Sequence, residues 1–187
     1  MFPNPAVGTV ATMGTANIGI SGFGDLSLTN GSELNVTGPF IVGDQTTGAG
    51  SLSVRGFSSQ PNSPVSKLDL DGAVIIGNVG SALVELSGGA TIDSTAASLV
   101  RFGLDPISST TINISDRGTA WLHSNTLLPI AANGTAYVTV RSGGLLTASN
   151  VALGAGDQSL SSQVSFGFGS VTVTGIGSRW NNFAGGN

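Results

Sequence analysis

No cysteine occurs in this chain, so no disulfide stabilises it and thiol content carries no sign of its compartment. Charge is almost as scarce. Asp, Glu, Lys and Arg make up 9% of the 187 residues, against about a quarter in an ordinary soluble domain. Six basic residues face ten acidic ones, leaving a net charge of −4. So few cations cannot hold a phosphate backbone, and nucleic acid is not an expected partner. One histidine is present, His123, with no second imidazole or thiolate to complete a metal site. It reads as a surface or corner residue, and neither a metal nor another cofactor is expected. No stretch of a dozen residues keeps a 3.6-residue period, so helices should be scarce. Apolar runs such as Ala73-Val-Ile-Ile76 are too short to span a membrane. Met1-Phe-Pro-Asn-Pro5 lacks the parts of a signal peptide. Both ends read as cut, so an export signal is expected outside this chain.

What the chain has instead is glycine, 29 residues of it, and a 40% apolar content laid out in regular alternation. Disorder does not fit such a pattern, because the apolar positions can be buried together. The string Ile112-Asn-Ile-Ser-Asp-Arg-Gly-Thr-Ala-Trp121 returns as Val171-Thr-Val-Thr-Gly-Ile-Gly-Ser-Arg-Trp180. An earlier copy starts at Leu52, so the frame recurs after 60 and 59 residues. Between these copies lies a second string, Leu26-Ser-Leu-Thr-Asn-Gly31, then Val84-Glu-Leu-Ser-Gly-Gly89, then Val138-Thr-Val-Arg-Ser-Gly143. The long repeat therefore holds two half-units of roughly 25 to 30 residues, the size of one turn of a solenoid.

Within each half-unit apolar residues alternate with small polar ones, as in Leu26/Leu28, Leu68/Leu70 and Val138/Val140. Period two is the strand signature, with one face buried and one wet. Glycines at Gly31, Gly56, Gly89, Gly118, Gly143 and Gly175 mark corners where a positive φ is expected. Equivalent strands a full turn apart can stack in parallel register, about 4.8 Å from one to the next. The expected fold is all-β: a parallel β-helix, or β-solenoid, right-handed, of about six to seven coils. An antiparallel sandwich is the lesser alternative. Residues 1–16 read as an N-terminal extension or partial cap, and 17–187 as one solenoid domain that stops in mid-coil.

The string Val171 to Trp180, with Gly134 to Gly154, resembles the repeat of type V secretion (autotransporter) passengers and exported PEP-CTERM proteins. The resemblance covers nearly all of Asn17 to Asn187. The family pattern is a Val-x-Val strand, Gly-x-Gly-Ser-x-Trp, a Val-Gly close, then a second strand with a Gly-Gly corner and another Val-Gly. Pro61 replaces the tryptophan in the first frame, and Leu128-Pro-Ile-Ala131 replaces the Val-Gly close after Trp121. The resemblance implies an extracellular or bacterial surface β-solenoid with an adhesive or scaffolding role.

Several residues invite a functional reading. Asp69 and Asp71 stand two apart and should project from one outer face, as paired carboxylates of a glycosidase would. Ordinary solvated surface is the stronger reading. Trp121 and Trp180 are candidates for stacking on sugar rings, against the commoner role of plugging a corner of the coil. The loops Gly43 to Gly48, Phe57 to Ser66 and Gly154 to Phe166 are polar insertions of the kind solenoids use for partners. Asp44 and Asp157 follow similar glycines, yet the glycine-aspartate nonapeptide of calcium β-rolls does not occur. Asn30, Asn35, Asn113 and Asn133 match the glycosylation acceptor pattern, at a frequency that chance explains in so Asn- and Ser-rich a chain.

The expectation is thus a non-enzymatic segment that projects a stiff rod and offers its loops for adhesion. Its expected partners are surface glycans or proteins, or further copies of itself. A carbohydrate-active β-helix enzyme and a sugar-binding module are the alternatives.

Overall fold

Alternation that switches off at glycine every few residues yields short strands and sharp corners, and the chain winds accordingly. A computed structural model describes residues 9–56, 65–124, 127–154 and 167–182. β1 (Val10–Met13) and β2 (Ala16–Ile18) open the stack. Then come triplets: β3 (Phe23–Leu28), β4 (Glu33–Val36), β5 (Phe40–Val42); β6 (Ala49–Arg55), β7 (Lys67–Leu70), β8 (Ala73–Ile76); β9 (Ser81–Ser87), β10 (Thr91–Asp93), β11 (Leu99–Phe102). The path continues through β12 (Ser109–Ser115), β13 (Ala120–Leu122), β14 (Leu127–Ile130); β15 (Thr135–Arg141), β16 (Leu145–Ala148), β17 (Asn150–Leu153); and closes on β18 (Phe168–Thr174) and β19 (Arg179–Asn182).

Each triplet contributes one strand to each of three sheets. The first sheet runs β1-β4-β7-β10-β13-β16-β19, the second β2-β5-β8-β11-β14-β17, the third β3-β6-β9-β12-β15-β18. The stride of three, with every pairing parallel, makes the molecule a parallel β-helix of six to seven coils. At the strand spacing, seven rungs make a stack roughly 30 Å long. No antiparallel pair occurs among the described residues, which removes the sandwich alternative. β1 pairs with β4 as a regular rung, inside the stretch read as an extension or partial cap.

Register explains the two interleaved strings. Leu26, Leu52, Val84, Ile112, Val138 and Val171 form a single column of the third sheet. The half-units are therefore successive turns of one path, and the long repeat is two coils. A second column, Leu34, Leu68, Ile92, Trp121, Leu146 and Trp180, lines the first sheet. Phe40, Val74 and Val100 belong to the second. These inward columns make one continuous core, fully buried through the middle coils. Each buried aliphatic or aromatic side chain contributes about 1.5–3 kcal/mol.

Corners obey two different constraints. Gly31, Gly89, Gly118, Gly143 and Gly175 have positive φ as expected. Gly56 does not, and is small for another reason: a Cβ there would meet the carbonyl oxygen of Gly88 in the next coil. A further column closes the second sheet, where Gly19, Gly43, Gly77, Gly103 and Gly154 all have φ between 62° and 74°. Ala131 takes the same position after β14, with φ 61°.

Candidate functional site

Polar or aromatic side chains gather in a groove on the first sheet, in a cluster inside the coil, and on the outer face of the third sheet. In the groove, β4, β7 and β10 set Glu33 beside Lys67, and Asn35 beside Asp69 beside Asp93. Asp69 and Asp71 line the same open groove, with Thr12, Thr37 and Thr95. Lys67 Nζ lies 2.8 Å from Asp69 Oδ1. That hydrogen bond raises the Lys67 pKa above its ordinary value, against the opposing effect of desolvation, and Asp69, Asp93 and Glu33 add attraction. Asp69 is thus half of an ion pair. Among the described residues no three His, Cys, Asp or Glu side chains converge in a metal-binding group.

The interior cluster gathers Trp121, whose commoner expected role is to plug a corner, and His123, expected at the surface or a corner. Trp121 is 1% exposed and packs edge-on against Phe102, ring centroids 5.0 Å apart. Its Nε1 donates to Ser94 Oγ at 3.0 Å, a side-chain oxygen rather than backbone. Ser94 Oγ in turn donates to the Leu122 carbonyl at 3.0 Å. Buried rings offer no face to a ligand, so the stacking role does not fit Trp121. His123 is buried rather than on the surface; its Nδ1 lies 3.2 Å from the Ser94 carbonyl oxygen, which can only accept, so Nδ1 carries the proton. Burial of these groups is tolerable because they satisfy one another.

Trp180 stands two rungs beyond Trp121 in the same column, with Leu146 between them. It too points inward and packs on the core, partly exposed in the last described rung. The two tryptophans make no ladder on the outside.

The exposed aromatics are others. Along β15, Ala136, Val138 and Val140 face the core, leaving Thr135, Tyr137, Thr139 and Arg141 outward. On β18, Phe168, Ser170 and Thr172 hold the matching outward positions. Tyr137 is 45% and Phe168 60% exposed, with ring centroids 5.8 Å apart at a 57° tilt. Rows of hydroxyls flank them, as Thr139 meets Thr172 and Tyr137 meets Ser170 in register. Thr111 and Asn113 continue the rows on β12. An aromatic patch amid neutral donors and acceptors suits the C–H face and hydroxyls of a sugar, or the side chains of a partner protein. Parity was the signal for Tyr137: an aromatic ring between two inward apolar residues must point out.

The remaining candidates divide. In the first loop, Asp44 Oδ1 accepts from Asn78 Nδ2 at 2.7 Å, tying successive coils together. Most of the second loop, including Pro61, and all of the third after Gly154, including Asp157, lie outside the described residues. No helix among the described residues is long and apolar enough to cross a membrane. Comparison with protein-family models, with curated proteins and with solved structures finds no match to this chain.

Proposed function

We propose that this chain is a non-enzymatic structural and adhesive segment of an exported, surface-displayed bacterial protein, of the autotransporter-passenger or PEP-CTERM kind. Its work is to hold contact surfaces away from the cell on a rigid stack of like coils. The observation that carries this reading is the outer face of the third sheet, where the solvent-exposed Tyr137–Phe168 pair lies among uncharged hydroxyl rows. Repetition suits adhesion because many weak contacts on one stiff body add through effective concentration. The residues quoted above for the family resemblance support the export context.

Beads coated with the chain test the reading. They should adhere to glycan- or matrix-protein-coated surfaces, with adhesion rising steeply with coating density. Tyr137→Ser together with Phe168→Ser should reduce it several-fold while leaving the fold intact by circular dichroism. Adhesion unchanged in the double variant would remove the observation on which the proposal stands.

The same ring pair favours a second reading, a carbohydrate-binding module, in which the soluble monomer alone binds one sugar with measurable affinity. Calorimetry on a glycan panel separates the two. An enzyme would instead work through the Asp69–Asp71 groove. Reducing ends released from a polysaccharide by the purified chain, and abolished in Asp69→Asn with Asp71→Asn, would replace the adhesive reading with a catalytic one.

A further inference from the structure

Between the third and first sheets every coil turns a corner, and the corners of the last three coils differ in length. From Ile114 to Ala120, and from Val173 to Arg179, the chain uses one residue more than from Val140 to Leu145, although these residues are matched in register. The middle corner is therefore recessed. Arg117 and Ile176 occupy equivalent tips of the two longer corners, and Ile176 is 99% exposed. Between them the floor of the recess is Ser142 and Gly143, and a Cβ on Gly143 would crowd Arg117 Cα at 3.2 Å. The result is an open notch of about 500 Å³ that runs across the coils onto the outer face of the first sheet. That volume lies within the range of small-ligand clefts.

The notch is cationic in an acidic protein. Arg117 lines one wall and Arg179, pointing outward from the start of β19, lines the other. Among the described residues Arg55 pairs with Glu85 and Lys67 with Asp69, and neither notch arginine is bound to a carboxylate. Asp116 is next to Arg117 in sequence, but its Oδ2 accepts from Gly88 N in the preceding coil at 3.1 Å. Leu145 and Ile176 add apolar surface, and Asn181 and Ser142 add neutral hydrogen-bonding groups. The floor backbone is already engaged: Leu145 N donates to Thr119 O, Arg179 N to Gly144 O, and Gly143 N to Ser178 Oγ. Recognition here must run through side chains rather than through addition of a peptide strand.

From this geometry we infer that the notch is a binding site for an acidic polysaccharide, with the sugar-borne carboxylates held by Arg117 and Arg179. A guanidinium fork matches a carboxylate with two parallel hydrogen bonds. Arg117 and Arg179 belong to coils two rungs apart, about 10 Å along the axis, so acidic residues spaced along one extended glycan can engage both arginines. Leu145 and Ile176 then meet the C–H faces of the rings, while Asn181 and Ser142 take hydroxyls. The site deepens the adhesive reading by naming a ligand class, and it uses none of the residues of the Tyr137–Phe168 face.

Calorimetric titration with alginate oligosaccharides, which carry a carboxylate on every residue, tests the inference. The wild-type chain should bind them, and the same oligosaccharides after carboxyl reduction should not bind. Arg117→Ala and Arg179→Ala should each weaken binding by about tenfold or more, the loss expected for hydrogen bonds to a charged group. Arg179→Lys should also weaken it, because the ammonium lacks the fork. Arg55→Ala, which removes an equal charge elsewhere, should leave affinity unchanged, as should Tyr137→Ser with Phe168→Ser. All five side chains are exposed, so unaltered melting curves accompany each variant. Equal binding by Arg117→Ala/Arg179→Ala, or by the carboxyl-reduced oligosaccharide, overturns the site. Tighter binding of poly-glutamate or of a single-stranded oligonucleotide overturns the ligand class. Loss of bead adhesion in the ring variants with alginate binding intact separates the two surfaces.

Discussion

Trp121 and Trp180 share one column of the first sheet, yet their indole N–H groups meet different neighbours. Trp121 donates to Ser94, which lies one coil back and two residues beyond Ile92, the register partner of Trp121. The same offset from Leu146, the partner of Trp180, leads to Ala148. A methyl accepts nothing, and Trp180 Nε1 is a buried donor without a partner among the described residues. Ala148→Ser should place a hydroxyl there and stabilise the fold by about 1 kcal/mol, read from urea unfolding. Ser94→Ala should do the reverse at Trp121, at a cost of about 1–3 kcal/mol, because it leaves the buried indole donor and a shared network unsatisfied. A second residue-scale contrast sits in the glycine column that closes the second sheet. Ala131 holds φ 61° there, a conformation that disfavours a side chain by about 1–2 kcal/mol. Ala131→Gly should therefore be neutral to mildly stabilising. Gly43→Ala should be severely destabilising, since its new methyl would strike the Ser81 carbonyl of the next coil. Matched thermal melts check the pair: Ala131→Gly should melt at or slightly above the wild-type temperature and Gly43→Ala far below it.

Strand length decided what could be read in advance. The third-sheet strands are six or seven residues long, so alternation fixed their inward set from Leu26 to Val173, and parity would have placed Tyr137 outside. β13 has three residues, too few for alternation to assign a face, so sugar stacking stayed beside the commoner corner-plug reading of Trp121; Trp121 packs inward, and His123, read as a surface or corner residue, is buried just after the strand. The Arg117–Arg179 notch was illegible for a different reason: it arises from a one-residue difference between corners that become neighbours only through stacking. Alternation also set Lys67 and Asp69 on one outward face of β7. Lys67 titrates above its ordinary 10.5 in the folded chain. Its contribution to stability is therefore fully present below pH 10.5 and lost as pH rises through the higher folded value. The Lys67 side chain is 39% exposed, so water screens the pair and the effect is modest. Unfolding curves of the wild type and Lys67→Met should differ at neutral pH and converge at alkaline pH. A gap that persists unchanged across that range would mean that packing of the lysine stem, rather than its charge, matters.

At the scale of the molecule, each coil touches mainly the coils before and after it, and stability should be close to a sum over coils and their interfaces. Ala49 pairs with Ser81, and the strands after each continue in register through Val54–Leu86. Deleting residues 49–80 therefore removes one whole turn and delivers Ser81 to the position that Ala49 left above Phe23. Leu26 and Val84 then become neighbours, one branched aliphatic resting on another as before. The shortened chain should fold cooperatively and keep its circular dichroism band shape. Its urea m-value should fall roughly in proportion to the surface removed. Deleting residues 49–64 instead removes one side of a turn, bringing Gly48 directly to Val65, so that β7 must follow β5 with no third-sheet strand between them. Every inward side chain downstream would lose its column, and that chain should not fold. If both deletions unfold the protein, or both spare it, the coil is not the unit on which this structure is built.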